Sequence, residues 1–275
     1  MFNAELMSLL GIMRDSAVFQ FRMLQKNRER FFKFGQRLKE FFRLVDLEKA
    51  PHLFINPRTD RLCIVMFTSD EGFMGGLNLQ VINSSLIQPG ADAAKLIIVG
   101  ERGQRYLEEM RREFIAFSTG GGKVTDYAGR YDLALKLRDC IMNGIKEGQF
   151  GRVIVSYPKC LSFLVQKVEV IEILPVGAAV ISERNHSPDD VIIESPLEGI
   201  IKYLVEELVL DKLMGVLEDS KLAEFAARAI HLEKSNRELD EKEKNLQLQY
   251  FHAYHKIIDT NIRELFAAQI IRRGK

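Results

Sequence analysis

The stretch TSDEGFMGGLN, Thr68–Asn78, is the most informative part of this sequence for its fold. It directly follows the apolar run RLCIVMF and leads into LNLQVINSSL, whose apolar residues have helical spacing. Three of its residues are glycines, namely Gly72, Gly75 and Gly76. A strand, a glycine turn and a helix in this order begin many nucleotide-binding folds. The stretch therefore raises two interpretations, a nucleotide site and a turn that serves only the packing of the fold.

The glycine spacing favours packing over nucleotide binding. A dinucleotide fingerprint needs G-x-G-x-x-G, whereas this turn has G-x-x-G-G and continues with Leu77 and Asn78. A tight connection between a strand and a helix needs small residues whether or not a phosphate binds. The sequence therefore predicts no nucleotide cofactor at this turn.

The segments around the turn alternate between strand and helix patterns. The strand patterns are RLCIVMF, AKLIIVG, RVIVSY and VQKVEVIEILPV, and the helix patterns are LNLQVINSSLI, RGQRYLEEMRREF and RYDLALKLRDCIMNGIKEG. Apolar strands separated by helices indicate a sheet that is covered on both faces. We therefore predict a Rossmann-like α/β domain over residues 58–190.

Long helical patterns lie on both sides of this domain. From Asn3 to Asp46 apolar residues recur at spacings of three and four, and after Pro196 only isolated glycines interrupt the helical pattern. The end of the second helix carries a coiled-coil seam, formed by Leu239, Leu246, Tyr250, Tyr254, Ile257 or Ile258, and Leu265. We predict that an N-terminal shaft helix, residues 1–50, pairs with a C-terminal shaft helix, residues 196–275, as an antiparallel coiled coil.

The composition argues against several classes of protein. The 275 residues include 39 basic and 38 acidic side chains, a net charge of +1, so no overall charge draws the chain to nucleic acid or to a membrane surface. Three cysteines, odd in number and far apart, indicate reduced thiols and not a disulfide framework. No apolar run approaches the ~18 residues that cross a bilayer, and the N-terminus lacks the basic region of a signal peptide. We expect any membrane contact to run through partners.

Two further motifs resemble reactive sites but lack their specific features. STGGGK, from Ser118 to Lys123, lacks the first glycine and the final Ser or Thr of a phosphate loop. In HAYHKIID, His252, His255 and Asp259 share one helix face, as metal ligands can, but a long exposed helix shows such faces by chance. The sequence has no G-x-S-x-G elbow and no Cys/His motif. We predict no catalytic residue, no metal site and no active site in this chain.

The ordered set of segments resembles the gamma subunit, the central rotor stalk, of F-type ATP synthases and F-like rotary ATPases. TSDEGFMGGLN is similar to the family motif T-S-D-[RK]-G-L-C-G-G-[LF]-N, from which Glu71, Phe73 and Met74 differ. AKLIIVGERGQRYL, ESPLEGIIKYLVEELVLDKL and EFAARAIHLEKSNREL resemble later family segments in the same order. The helix ends diverge, since FQFRMLQKNRERFFKF stands where the family has I-T-[KR]-A-M-x-M-V-A.

The resemblance implies a fold, a function and a set of partners. The fold is α/β, with an antiparallel coiled coil of terminal helices and the Rossmann-like domain inserted between them. The shaft is expected inside a hexamer of α and β subunits. The α/β domain and the adjacent end of the shaft, its foot, are expected on a ring of c subunits beside an epsilon subunit. Ion-driven rotation of the ring is then coupled to ATP synthesis or hydrolysis in the hexamer. The chain is expected to be a peripheral protein on the cytoplasmic side of the bacterial inner membrane, with no cofactor and no nucleic acid.

The resemblance also implies residues of the subunit interfaces. Arg228 and Glu224, in EFAAR, match the family's E-x-A-A-R, whose arginine faces a β subunit. Glu194, in IIESP, matches a glutamate at the foot near the ring. Ile258 and Glu264 match positions of the final helix, which meets the hexamer.

A second interpretation stays open from the residues alone. A coiled coil joined to an α/β domain also suits a non-catalytic adaptor or scaffold that has kept the gamma fold. The basic and aromatic cluster QKNRERFFKFGQRLK would suit a nucleic-acid face or a membrane surface. Acidic residues in both terminal helices argue against such an electrostatic role.

Overall fold

The computed structural model of the chain describes residues 2–27, 53–118, 126–176 and 196–273. The elements follow one another as α1 (Phe2–Asn27), β1 (Leu62–Phe67), α2 (Leu77–Leu86), β2 (Lys95–Val99), α3 (Glu101–Glu109), β3 (Ile115–Phe117), α4 (Tyr127–Lys146), β4 (Arg152–Ser162), β5 (Val165–Leu174) and α5 (Leu197–Arg273). They form two compact units. Residues 1–16 and 230–275 make one, which we call the helical unit, and residues 17–229 make the other, the sheet unit.

The sheet unit is built on a mixed sheet. Within the described residues it has five strands in the order β3-β2-β1-β4-β5. The first four strands of this order run parallel, and β5 returns antiparallel to β4 as the second strand of a hairpin. Helices connect the parallel strands, so the predicted α/β class is confirmed.

The sheet is covered on both faces, as the strand patterns predict. All residues of β1 are buried, which is typical of a strand with helices on both sides. Its side chains alternate between two core clusters: Cys63, Val65 and Phe67 lie with residues of α4 and α5, and Leu62, Ile64 and Met66 lie with residues of α2 and α3. The period of two along the strand thus divides one apolar run between two cores.

Helix α5 supplies part of this core, which the sequence pattern did not predict. Ile201, Val205, Val209 and Leu213, spaced by four residues, are fully buried in the same cluster as β1 and α4. The first part of α5 is therefore a layer of the α/β core as well as the start of the predicted C-terminal shaft. The boundaries 1–50, 58–190 and 196–275 stay a prediction.

Helix α5 begins directly after Pro196. The Pro196 carbonyl accepts a hydrogen bond from the Gly199 amide (3.0 Å), and α5 begins at the next residue, Leu197. Proline suits this position because the first amides of a helix have no partner within the helix.

One strand was missed and one helix was predicted too long. The sequence pattern predicts a helix over RGQRYLEEMRREF, but α3 ends at Glu109 and β3 follows from Ile115. The cause is Arg111, whose backbone has a φ of 55°, in the left-handed region that terminates helices.

In the helical unit, the first turns of α1 run antiparallel to α5. Asn3 lines a surface groove with Glu243 and Gln247, whereas Arg14 pairs with Glu233. Because the residue numbers rise along α1 while those of the partners fall along α5, the two helices run in opposite directions. This is the antiparallel pairing of terminal helices that the sequence predicts. Of the helices described, none is both long and apolar enough to cross a bilayer.

Three predicted features lie outside the described residues. These are the part of the first helix beyond Asn27, the loop STGGGK beyond Ser118, and the interface residue Glu194.

Candidate functional site

The glycine turn lies at the carboxyl end of β1, the edge at which open α/β sheets bind ligands. The turn runs from Thr68, just after β1, to Gly76, just before α2. Next to it is the N-terminus of α3, whose amides would face a bound phosphate. This location makes the turn the first place to look for a nucleotide site.

The first amides of α3 are occupied by oxygen atoms of the turn itself. Three hydrogen bonds do this: Glu101 N to Asp70 Oδ1 at 3.1 Å, Arg102 N to Ser69 O at 3.0 Å, and Gly103 N to Thr68 Oγ1 at 3.1 Å. These amides are the donors that a phosphate at a helix N-terminus would need. The segment Thr68–Asp70 therefore takes the place of the phosphate. Burial raises the pKa of the Asp70 carboxyl above its ordinary value, while the hydrogen bond from Glu101 opposes that shift.

The other end of the turn is fixed to α2. Ser69 N donates to Asn78 Oδ1 (3.1 Å), and Asn78 Nδ2 donates to Ser69 Oγ (2.8 Å). Asn78 is buried, so this reciprocal pair satisfies polar groups that would otherwise be costly. Asn78 thus ties the first turn of α2 to the end of β1.

Two glycines that lie outside the glycine turn allow the start of α3 to approach Thr68 closely. Gly100 has a φ of 99°, and a Cβ at this position would collide with Thr68 O. A Cβ at Gly103 would collide with Thr68 Oγ1 and would lie 2.7 Å from Ile98 Cδ1. A Cβ at Gly76, by contrast, would meet no atom within 4 Å. Close packing against Thr68 therefore requires glycine at positions 100 and 103.

Helix α5 fills the crevice above the turn. A cavity of ≈ 10 Å³ remains there, and α5 lines it with Ser220, Lys221 and Glu224 opposite Thr68 and Ser69. This is about the volume of one water molecule and far below that of a ligand pocket. The site at which the fold class binds nucleotides is therefore closed by the chain's own last helix.

The predicted interface residues Arg228 and Glu224 meet at this junction. Arg228 Nη2 lies 2.6 Å from Glu224 Oε1, and the other oxygen of Glu224 lies 2.8 Å from Lys221 Nζ. Both side chains are more than nine-tenths buried. The guanidinium also contacts the turn, with Arg228 Nη1 3.0 Å from Glu71 Oε2. Sequence reasoning missed this partner, although an acid at 71, where the resembled motif has a basic residue, was the available signal.

The second candidate site is the C-terminal part of α5, in the helical unit. Many of its large apolar side chains are exposed, by between 45% and 69%, and these are Leu246, Leu248, Tyr250, Phe251, Tyr254, Ile257, Ile262, Leu265 and Phe266. We call this set the apolar surface of α5. At 3.6 residues per turn it covers roughly half of the helix circumference. Soluble helices seldom leave so much apolar area in water unless a partner covers it.

The seam that the sequence predicts along this helix is therefore not covered by the described part of the chain. Leu246, Tyr250 and Tyr254 are each at least half exposed, and the aromatic rings of Tyr250 and Tyr254 stack on each other at 6.2 Å. The predicted interface residues Ile258 and Glu264 lie in the same stretch, Ile258 half-buried and Glu264 exposed. They are not close to Arg228 in the sequence, and they belong to the other unit.

The histidine motif of α5 lies in the same exposed stretch. His252, His255 and Asp259 are all exposed. Among the described residues, no group of three or more His, Cys, Asp and Glu side chains is placed to hold a metal ion.

Comparison with known proteins identifies the family. The family model described as ATP synthase matches residues 10–269, so the chain belongs to the ATP synthase family. Its relatives include the ATP synthase gamma chain of Clostridium acetobutylicum, 25% identical over 231 residues, which are 81% of this chain and 77% of that one. The gamma chain of Geotalea daltonii is 23% identical over 240 residues, 86% of this chain and 81% of that one. The predicted resemblance to the gamma subunit is confirmed.

Solved structures share the fold. The central stalk and c-ring structure of the Tetrahymena thermophila mitochondrial ATP synthase contains a chain that matches with a TM-score of 0.60 and 17% identity, covering 82% of this chain and 99% of that one. A chain in the OSCP/F1/c-ring structure of the Euglena gracilis mitochondrial ATP synthase matches with a TM-score of 0.56 and 10% identity, covering 98% and 96%. At these identities the similarity concerns the fold.

Proposed function

We propose that the chain is the central stalk subunit of an F-type ATP synthase and couples rotation of an ion-driven ring to ATP synthesis or hydrolysis in a hexamer of α and β subunits. The observation that carries this proposal is the apolar surface of α5 in a chain of the ATP synthase family. A helix that is apolar over half of its circumference suits a site enclosed by other subunits. The solved structures that contain matching chains are a central stalk with a c-ring and an assembly of OSCP, F1 and c-ring, which supports the same kind of enclosure here.

The closed crevice supports the mechanical part of the proposal. Where the fold class would bind a nucleotide, α5 packs on the sheet, and its Arg228 pairs with Glu224 of the same helix and with Glu71 of the turn. In this proposal the chemistry belongs to the hexamer, and the stalk contributes by contacting each catalytic subunit differently as it turns. The adaptor interpretation has less support, because the relatives are gamma chains.

The partners follow from the same proposal. The hexamer would enclose the apolar surface, with Ile258 and Glu264 among its contacts. The sheet unit and Glu194 would face the c-ring and an epsilon subunit, and the chain would then lie at the cytoplasmic face of the inner membrane through its partners alone. Arg228 and Glu224 are proposed contacts of a β subunit only at their edges, because most of both side chains is already covered within the chain.

Native mass spectrometry of complexes purified through a tag on this chain tests the assembly. We expect a mass with three α, three β and one copy of this chain. A complex without α and β, or with several copies of this chain, would contradict the stalk function and favour the adaptor function.

A pair of variants tests the apolar surface. Ile257→Asp places a charge on a side chain that is 59% exposed, so the isolated chain is expected to fold but to assemble poorly with the hexamer. Leu161→Asp is the matched control, since Leu161 is 61% exposed but lies on the β4–β5 hairpin of the sheet unit. If Ile257→Asp assembled as well as the wild type, the apolar surface would not be part of the interface with the hexamer.

A further inference from the structure

Arg228 holds the last turn of α5 that belongs to the sheet unit. The sheet unit ends at Ala229, one residue after Arg228, and α5 continues into the helical unit. Before this point, apolar packing attaches α5 to the sheet from Ile201 to Leu217, and further apolar contacts follow as far as Ala227, which packs with Met74 of the glycine turn. At Arg228 an ionic contact with the glycine turn is added to this packing.

The guanidinium of Arg228 has partners on two elements. Glu224 binds it from the preceding turn of α5 at 2.6 Å, and Glu71 of the glycine turn binds it at 3.0 Å. A longer contact joins Arg228 Nε to the Gly72 carbonyl at 3.4 Å. The Arg228 guanidinium also lies over the Phe225 ring, 5.7 Å from its centroid. Because the arginine is 5% exposed, losing a partner would leave a covered charge less well compensated.

The glycine turn is a rigid support for this contact. Thr68, Ser69 and Asp70 are hydrogen-bonded to the first turn of α3, and Ser69 is also bonded to Asn78 of α2. Glu71 directly follows these residues, and its backbone carbonyl accepts a hydrogen bond from Ser69 Oγ at 2.7 Å. The backbone of Glu71 thus belongs to a segment that is anchored to the sheet and to two helices, while its side chain is 73% exposed.

A basic residue at position 71 would repel Arg228 instead of attracting it. The motif that the turn resembles has Arg or Lys at this position, and either would face Arg228 with the same charge. The acid at 71 therefore adds to this chain an attraction between the turn and α5.

We propose that Glu71 is a positioning residue that acts through Arg228. Their ion pair, which we call the clasp, attaches α5 to the glycine turn, so that α5 as far as Ala229 and the rest of the sheet unit rotate as one body. The mechanical consequence, transmission of twist from the sheet unit to the helix, rests on the proposed function. The clasp itself is a property of the chain alone.

Hydrogen exchange of the isolated, full-length chain tests the clasp. The variant is Glu71→Gln, which keeps the shape of the side chain and removes its charge. We expect amides around residues 222–230 to exchange about two- to fivefold faster, the range that loss of a partly exposed ion pair allows. Glu71→Lys is expected to exceed this effect, because it replaces attraction by repulsion.

The control is Glu172→Gln. Glu172 forms an ion pair of 2.9 Å with Arg152 at the edge of the same sheet, between β4 and β5, and does not involve α5. This variant is expected to leave exchange around residues 222–230 unchanged. Unchanged exchange in Glu71→Gln as well, or equal acceleration in both variants, overturns the clasp.

The assembled complex tests the mechanical role. We expect Glu71→Gln and Glu71→Lys to lose part of the ion transport per ATP hydrolysed, and Glu172→Gln to keep it. An unchanged ratio in both Glu71 variants overturns the positioning role, and so does a raised ratio, which would mean that Glu71 withholds Arg228 from a partner. Failure of the wild-type chain to assemble would contradict the proposed function, while the exchange experiment would still decide on the clasp.

Discussion

Arg14 Nη1 lies 2.6 Å from Glu233 Oε2, so that residues 219 positions apart in the chain form an ion pair across the two helices of the helical unit. Glu233 also accepts from Arg237 Nε at 2.9 Å, on its own helix. The hydrogen bond from Arg14 lowers the pKa of Glu233 below its ordinary value of 4.5, and the bond to Glu233 raises the pKa of Arg14. The pair shows which turns of α1 and α5 lie side by side.

Glu233→Gln is expected to lower the free energy of unfolding by about 0.3–1 kcal/mol at neutral pH, since both partners are one-third exposed. A carboxylate whose folded pKa is lowered stabilises the protein above its unfolded pKa and loses this effect as the pH falls through the folded pKa. The difference in melting temperature between variant and wild type should therefore shrink from pH 7 to about pH 3. Asp240→Asn, which loses a pair within α5 only, is the control. A difference that persists unchanged in acid would contradict the assignment.

Gly103→Ala is expected to destabilise the chain by about 1–3 kcal/mol, because the added methyl group would collide with Thr68 and Ile98. Gly215→Ala is the matched helix substitution, since Gly215 is exposed on α5 and a Cβ there would meet no atom within 4 Å. Gly215→Ala should stabilise by about 0.5–1 kcal/mol through its helix propensity. Chemical unfolding of both variants measures the contrast, and equal effects would refute the close packing at Thr68.

Leu213→Ala should cost about 2–5 kcal/mol, because Leu213 is fully buried where α5 packs on the sheet. Leu248→Ala, on the same helix but 59% exposed, should change the stability by less than about 0.5 kcal/mol. Unfolding followed by circular dichroism separates the two. A small effect of Leu213→Ala would mean that α5 is not part of the sheet unit's core.

Mg-ATP is expected to leave the melting temperature of the isolated chain unchanged. The amides that would bind its phosphates are hydrogen-bonded to Thr68, Ser69 and Asp70, and the crevice holds only ≈ 10 Å³. A ligand that binds the folded state raises stability with its concentration. A melting temperature that rises with Mg-ATP would reopen the nucleotide interpretation of the glycine turn.

The sequence predicted the parts of the fold that depend on local pattern. The apolar run of β1 and the long helical pattern after Pro196 identify a buried strand and a long helix, and both are confirmed. β3 was missed because its three residues are too few for a period to show. The end of α3 was missed because it depends on the left-handed backbone of Arg111, a position where glycine or asparagine would have been the usual signal.

The candidate site was less predictable, because its contacts join residues far apart in the chain. Family resemblance pointed to Arg228 and Glu224, and their spacing of four residues on a helix predicts that they meet. No local pattern shows that Glu71 lies beside them, since 157 positions separate it from Arg228 (228 − 71). The exposed apolar surface of α5 was read as a seam within the chain, because spacing alone does not tell a helix covered by its own chain from one covered by other subunits.

The place of α5 in the core has a consequence for biosynthesis. The strands of the sheet are translated before α5, so one face of the nascent domain lacks part of its apolar cover until Leu217 has left the ribosome. During this interval the emerging chain exposes surface that chaperones bind and that aggregates readily. Premature termination within α5 would then not merely shorten a helix. It would leave an α/β domain with one face of its sheet uncovered, and we expect cellular proteases to degrade it.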